Sequence, residues 1–380
     1  MELRSLIWRA KCSATGTATK ALLPGTTYRP ADWSQIVIAS VLSSTAEDGC
    51  GYLQPKPAAK ISVVVAAFNV APFIADAIAS TLSQSNVSEV IVVDDASNDG
   101  TPEIVANIAA VESRVKLIKQ ARNSGPGAAR NVALKHASGD WVAILDGDDL
   151  MAPERLAGLI QCAEATGADI IGDNFERITV DGKSTGDYLF PTAEVPFLFE
   201  VDSATFIDAN QVLGKKRFSL GAIKVMVRTD FIARHEITHP EDLPVGEDFQ
   251  FILSCLFAGA RFVVVSTPSY KYRLRPGSQS WRLTDEHMAK LHVAHAALLR
   301  DAEQAGCARA YEAAVDYGRT LDRTTDFVRA VSLAKEGKWG EGIAWISAHP
   351  RALPLVIRYG SQAVLNRLKA AMPLGRSSHP

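Results

Sequence analysis

Three carboxylates crowd the end of the stretch Gly139-Asp-Trp-Val-Ala-Ile-Leu-Asp-Gly-Asp-Asp-Leu150: Asp146, Asp148 and Asp149. Acids packed this closely repel one another unless a cation sits among them. Hard oxygen ligands one residue apart, with Gly147 giving backbone freedom, suit Mg²⁺ or Mn²⁺ that also holds a diphosphate. The same residues would equally serve an acidic turn that caps the next helix. Other charged pairs recur along the chain: Asp94-Asp95, Glu247-Asp248, and the alternating Arg273 and Arg275. Alternation puts two arginines on one face of an extended chain, where guanidinium groups can meet phosphate oxygens. Glu247 and Asp248 follow Gly246 at the opening of an apolar run, a place where acids also simply favour a helix N-terminus.

Placing these groups requires strands. Trp141 to Leu145 is a short apolar run that reads as a buried strand, so the three acids fall where the strand ends. In open α/β sheets that carboxyl edge is where ligands bind. Ile61 to Ala67 is β-branched and nearly continuous, as in a parallel strand covered on both faces. Pro72 opens a helix, Glu89 to Val93 is a second strand ending in Asp94-Asp95, and Thr101 and Pro102 are expected as cap and first residue of the next helix. Val115 to Lys119 is a third strand, and Gly125 to Asn131 opens a third helix. Strands alternating with helices imply right-handed crossovers and a mainly parallel sheet.

The chain has 380 residues, 47% hydrophobic and 22% charged, ordinary for a globular protein of one large or two modest domains. A formal charge of −2 argues against a general nucleic-acid binder. Cys12, Cys50, Cys162, Cys255 and Cys307 are odd in number and far apart, which points to a reducing, cytoplasmic compartment without a zinc site. No run reaches the roughly 20 apolar residues that span a bilayer. Residues 1–59, rich in Ser, Thr, Ala, Gly and Pro, read as a disordered or loosely docked extension.

Four motifs occur in order at close spacing: Val-Val-Val-Ala-Ala-Phe-Asn69, Val-Ile-Val-Val-Asp-Asp-Ala-Ser-Asn-Asp-Gly-Thr101, Asn123-Ser-Gly-Pro-Gly-Ala-Ala-Arg-Asn131 and Leu-Asp-Gly-Asp-Asp149. Together they resemble the nucleotide-binding half of a family 2 glycosyltransferase. The resemblance implies a GT-A fold, a Rossmann-like α/β architecture with a mainly parallel sheet flanked by helices. It also implies a UDP-sugar donor, a divalent cation (Mg²⁺ or Mn²⁺) and transfer with inversion at the anomeric carbon. Carried over, Phe68 and Asn69 lie beside the nucleotide, Asp94 and Asp95 meet the uracil or ribose region, and Arg130 lines the nucleotide side. Asp146 then contacts the ribose or donor sugar, Asp148 binds the metal, and Asp149 is a further partner. An acid at Glu247-Asp248 is the general base, assigned to Asp248, with Glu247 turned elsewhere because helix neighbours lie about 100° apart. The segment Tyr272-Arg-Leu-Arg-Pro-Gly-Ser278 is similar to the one that closes over the donor diphosphate, giving Arg273, Arg275 and Ser278.

These expectations divide the chain into a catalytic domain over 60–283, with a nucleotide half to 150 and an acceptor half from 151, and a helical subdomain over 284–380. In the acceptor half, Phe175 to Tyr188 reads as a hairpin turning at Asp181-Gly182, Phe190 to Lys216 as an irregular acceptor face with exposed aromatics, and Ala222 to Val227 and Arg261 to Val265 as strands. Met288, Leu291, His295, Leu298 and Ala302 form one helical stripe with a packed, hydrogen-bonded histidine. Leu353 to Arg376 mixes apolar and basic residues and suits peripheral contact with an anionic membrane on the inner face of the plasma membrane, or a plain solvated helix. The resemblance is nearest to bacterial exopolysaccharide glucosyltransferases of the succinoglycan type, with a saccharide or lipid-linked saccharide acceptor. Two other classes stay open. A non-catalytic sugar-nucleotide-binding or scaffold protein would keep the fold. A phosphotransferase starting from a strand-end DxD would want Thr or Val where Leu150 stands.

Overall fold

The computed structural model describes residues 59–359 apart from 212, 214–218 and 276–282. Its centre is β1 (Ile61–Ala67), whose burial is nearly complete along its length. Strands β2 (Val87–Asp94) and β4 (Trp141–Asp146) flank it in parallel, and β3 (Val115–Lys119) extends the sheet beyond β2. Helices α1 (Ile74–Leu82), α2 (Thr101–Ala109) and α3 (Pro126–Leu134) are the crossovers. Continuous Val and Ile in β1 and β2 fit strands covered on both faces.

Register brings the acids together. Ala67 pairs with Asp94 and Ala66 with Asp146, so both strand ends stop at the same level on either side of β1.

Beyond β4 the direction alternates. The short β5 (Leu150–Met151) and helix α4 (Arg155–Thr166) lead to β6 (Ile170–Ile178), which turns back antiparallel as β7 (Ser184–Tyr188). The expected hairpin is therefore present, with β6 extending from Ile170 to Ile178. After β8 (Leu198–Glu200) and α5 (Ser203–Ala209), β9 (Met226–Arg228) wedges antiparallel between β4 and β6. Helices α6 (Thr229–Arg234) and α7 (Glu247–Phe257) precede β10 (Phe262–Arg273). Sheet order is β3-β2-β1-β4-β9-β6-β10-β5, with β7 on β6 and β8 on β10.

Several local expectations need correction. The 190–216 segment contains β8 and α5, and its aromatics are inside: Phe190, Phe197 and Phe206 are all buried, Phe206 stacking on Phe249 at 5.3 Å. Aromatics without a clear period carry no sign of which side they face. Thr101 is the first helical residue, following Gly100; its Oγ1 accepts the Val70 amide, while Asp99 accepts the Thr101 amide. The strand expected over Ala222 to Val227 is confined to β9, Ala222 closing a 3-10 turn. Strand β10 continues through Pro268 to Arg273, well past Val265, by pairing with β6 across two irregularities.

The C-terminal region is helical: α8 (Asp285–Gln304), α9 (Ala308–Lys335) and α10 (Trp339–Ala348). Met288, Leu291, Leu298 and Ala302 are buried, and the His295 ring bonds the Ala314 carbonyl at 2.9 Å. Residues 353–359 are helical; the remainder of the basic C-terminal stretch lies outside the described residues. Among the described residues no helix is long and apolar enough to cross a membrane.

Candidate active site

A cleft of about 1040 Å³ opens at the carboxyl ends of β1, β2 and β4 and runs toward α7 and the C-terminal helices. Phe68, Asn69, Asp95, Arg130, Asp146 and Asp148 line one side, and Lys224, Glu247 and Asp248 close the other.

The loop after β1 is fastened to the loop after β2. Asn69, with φ at 51°, accepts the Asn98 amide on Oδ1 and gives its own amide to Ser97 Oγ. Phe68 stays 37% exposed on the cleft wall, available as a flat apolar surface.

Asp94 and Asp95 separate in role. Asp94 is buried, its Oδ2 accepting the Ser97 amide at 3.2 Å, so it shapes the turn and is not among the residues that line the cleft. Asp95 lines the cleft, and its two oxygens accept the Ser124 and Gly125 amides at 2.8 Å each. Burial, and then the Asp94 charge, push the Asp95 carboxyl up against those two amide bonds.

Helix α3 carries Arg130 inward because its first turn packs unusually close to the loop at His239 and Pro240. A Cβ on Gly127 would lie 2.3 Å from the Pro240 carbonyl oxygen, so only glycine allows the approach. Asn131 completes the seat, donating to the His239 carbonyl and accepting the His239 amide, both at 2.8 Å. Arg130 is 2% exposed and meets three carboxylates: Asp146 at 2.8 Å, Glu247 at 2.9 Å and Asp248 at 2.8 Å. Glu247 therefore does not turn elsewhere. One guanidinium nitrogen spans both helix neighbours, which the 100° separation of adjacent residues had not allowed for.

Lys224 was not anticipated. It stands between the Leu220–Ala222 turn and β9, with Nζ 2.8 Å from Asp146 Oδ2 and 2.5 Å from Asp248 Oδ2. A lysine inside the run Ala222-Ile-Lys-Val-Met-Val227 was the available signal, since a cation in a buried strand needs acidic partners. Electrostatics follow the geometry. Burial pushes the Asp248 and Asp146 carboxyls up, but Arg130 and Lys224 outweigh it, holding Asp248 well below the ordinary range and Asp146 below it. Glu247 goes the other way, raised by burial and the Asp248 charge despite Arg130.

The third acid of the DGDD turn is structural. Asp149 is 1% exposed, accepts the Tyr270 hydroxyl at 2.7 Å and the Arg273 amide at 2.7 Å, and ties the turn to β10. Arg273 is likewise spent, donating Nε to the Asp148 carbonyl at 2.8 Å and Nη1 to the Val180 carbonyl, with its guanidinium 5.0 Å from the Phe73 ring. It clamps the turn and is not among the residues that line the cleft. Arg275 remains on the cleft wall, ion-paired to Asp148 Oδ2. Ser278 lies outside the described residues.

No group of three or more His, Cys, Asp or Glu side chains forms a metal cage among the described residues. Asp146 is committed to Arg130 and Lys224, and Asp149 to β10; Asp148, paired to Arg275, lines the cleft beside them. One carboxylate plus substrate phosphates is a donor set that suits Mg²⁺.

A sequence profile described as Glycosyl transferase family 2 matches residues 62–231. The chain is 39% identical over 241 residues to succinoglycan biosynthesis protein ExoO of Rhizobium meliloti (strain 1021), covering 63% of this chain and 68% of the relative. Succinoglycan biosynthesis protein ExoU of the same strain is 28% identical over 303 residues, covering 78% of this chain and 85% of ExoU. In fold, the chain is similar to the crystal structure of S. aureus TarS 1–349 in complex with UDP-GlcNAc, with a TM-score of 0.54 at 20% identity over 79% of this chain and 92% of that one. The architecture is thus GT-A, a central sheet flanked by helices with a helical C-terminal region.

Proposed function

The chain belongs to glycosyl transferase family 2, and from that premise we propose that it moves a hexosyl group, glucose in the first instance, from a UDP-sugar to a hydroxyl of a growing, lipid-linked exopolysaccharide, with inversion. One observation carries the reading: Asp146 from the nucleotide half and Asp248 from the acceptor half meet across one cleft, joined by the same two cations. Residues 60–150 then serve the nucleotide, 151–283 the acceptor, and the helices from 284 onward brace the acceptor side. The exopolysaccharide assignment leans on the likeness to ExoO and ExoU.

In the reaction, the acceptor oxygen attacks the anomeric carbon from the face opposite the diphosphate. The bond from that carbon to the phosphate oxygen breaks, and its electron pair leaves on UDP. Asp248 takes the hydroxyl proton as the new glycosidic bond forms. Arg130 and Lys224 keep Asp248 anionic, the form that can accept. Phe68 and Asp95 bound the nucleotide end, with the Asp95-braced loop at Ser124 and Gly125 beneath it. Asp148 would hold Mg²⁺ or Mn²⁺, which would offset diphosphate charge, and Arg275, ion-paired to Asp148, would stand beside the phosphates.

The basic stretch after Pro350 holds the protein to the inner face of the membrane in this reading. Deleting it and finding membrane association unchanged would remove that part.

Calorimetric titration of UDP and a panel of UDP-sugars, with Mn²⁺ and then with EDTA, tests the whole. Metal-dependent binding, tightest for UDP-glucose, is expected. No binding of any uridine nucleotide overturns the donor assignment.

A further inference from the structure

The two carboxylates of the cleft form a closed ring with two cations. Arg130 takes Oδ1 of Asp146 and lies against Oδ1 of Asp248, while Lys224 takes Oδ2 of both. The two cations do not hold Asp248 in the same way. Oδ1 of Asp248, though 2.8 Å from Arg130, has no aligned hydrogen bond, whereas Oδ2 is hydrogen-bonded to Lys224 at 2.5 Å. Direction is thus set by the lysine.

The lysine is itself fixed from below. Its carbonyl accepts Nη2 of Arg155 at 2.6 Å, and Arg155 is fully buried against Asp173, also buried, at 2.7 Å. The Lys224 side chain is only 9% exposed, so its ammonium has little freedom to leave the two acids.

We propose that Lys224 is a positioning residue for the transfer step: its ammonium fixes the direction of the Asp248 carboxylate and the separation between that acid and Asp146 on the donor side. The inference rests on Asp248 being the base. Lys224 touches neither reacting atom and acts through the two acids. The groups that face Asp248 are Arg130 from α3, Lys224, Asp146 from β4, its neighbour Glu247 and His239 from the loop before α7.

A merely structural lysine would alter stability and leave the pH dependence of turnover in place. A lysine paired to the base does more, because removing an opposite charge at this range raises a carboxyl by about 1–3 pH units. The experiment is the pH profile of kcat/KM for UDP release from UDP-glucose, with water as acceptor, for the full chain and for Lys224→Met, Lys224→Arg and Asp248→Asn. Calorimetric UDP binding reports whether each variant is folded. The acidic limb of Lys224→Met is expected to move up by about 1–3 units. Lys224→Arg should leave the limb in place and lower kcat about tenfold, because the longer planar head cannot occupy the ammonium position. A Lys224→Met limb that does not move overturns the proposal. Should Lys224→Met fail to bind UDP, Lys224→Arg decides: wild-type kcat contradicts the proposal and a lowered kcat with an unmoved limb supports it. Turnover retained by Asp248→Asn would remove the base assignment itself, a result distinct from either failure of Lys224.

Discussion

Arg130 meets Asp248 across the cleft, its Nη1 2.8 Å from Oδ1, and so joins the helix after the third strand to the helix that opens at Gly246. The same side chain is 2% exposed and also holds Asp146 and Glu247. Burying a guanidinium is costly, and the cost is offset here by three carboxylates. Substituting Arg130→Met would leave those three acids with Lys224 alone. Loss of about 3–5 kcal/mol in urea unfolding is expected. Arg130→Lys should lose less, since it keeps a positive charge among the acids, though not nothing, since a single ammonium cannot span all three.

His239 gives a pH signature. Its ring is buried, stacked on Phe251 at 4.0 Å, with neither nitrogen hydrogen-bonded. Burial, then the Arg130 charge, pull it down from 6.5 to about 3, so the folded ring is neutral while the unfolded one takes a proton below 6.5. Its contribution is therefore present above pH 6.5 and lost as the pH falls toward 3. His239→Phe keeps the stack and removes the titration. The stability gap in favour of the variant should widen by about 1.4 kcal/mol per pH unit below 6.5 in denaturant melts. Parallel curves would contradict it.

Arg273 and Arg275 should behave differently despite their spacing. Arg273 clamps the DGDD turn from inside, and Arg273→Ala is expected to cost about 1.5–3 kcal/mol in unfolding. Arg275→Ala should leave stability within about 0.5 kcal/mol and weaken UDP binding instead. Equal effects of the two on both readouts would contradict the division.

Asp148→Ala should abolish the gain in UDP affinity that Mn²⁺ gives, so that the variant with Mn²⁺ matches the wild type in EDTA. Calorimetry reads both. A retained metal response would place the ion on other groups.

Much of the fold is legible because β1, β2 and β4 are mainly apolar runs punctuated by glycine and proline, and strands buried on both faces need little context. Motif and position together point to Asp146, Asp148 and Arg130, all of which line the cleft. What escaped depends on contacts distant in sequence. Lys224 has partners on β4 and α7 that no local pattern reveals. Alternation placed Arg273 and Arg275 on one face correctly, but not that the carbonyls of Asp148 and Val180 would claim the first of them. Asp94 and Asp95 looked equivalent in sequence, and only the amides of Ser97, Ser124 and Gly125 separate them.

Asp248→Asn tests the central claim most directly, measured as UDP release from the bound UDP-sugar in the presence of acceptor, with calorimetric UDP binding alongside. The amide keeps the shape of the carboxylate and cannot take the acceptor proton. UDP binding within about twofold of wild type, with turnover reduced by a factor of about 10² to 10⁴, is the predicted result. Turnover near wild type would contradict the account and turn attention to Glu247, whose carboxyl burial and the Asp248 charge already raise.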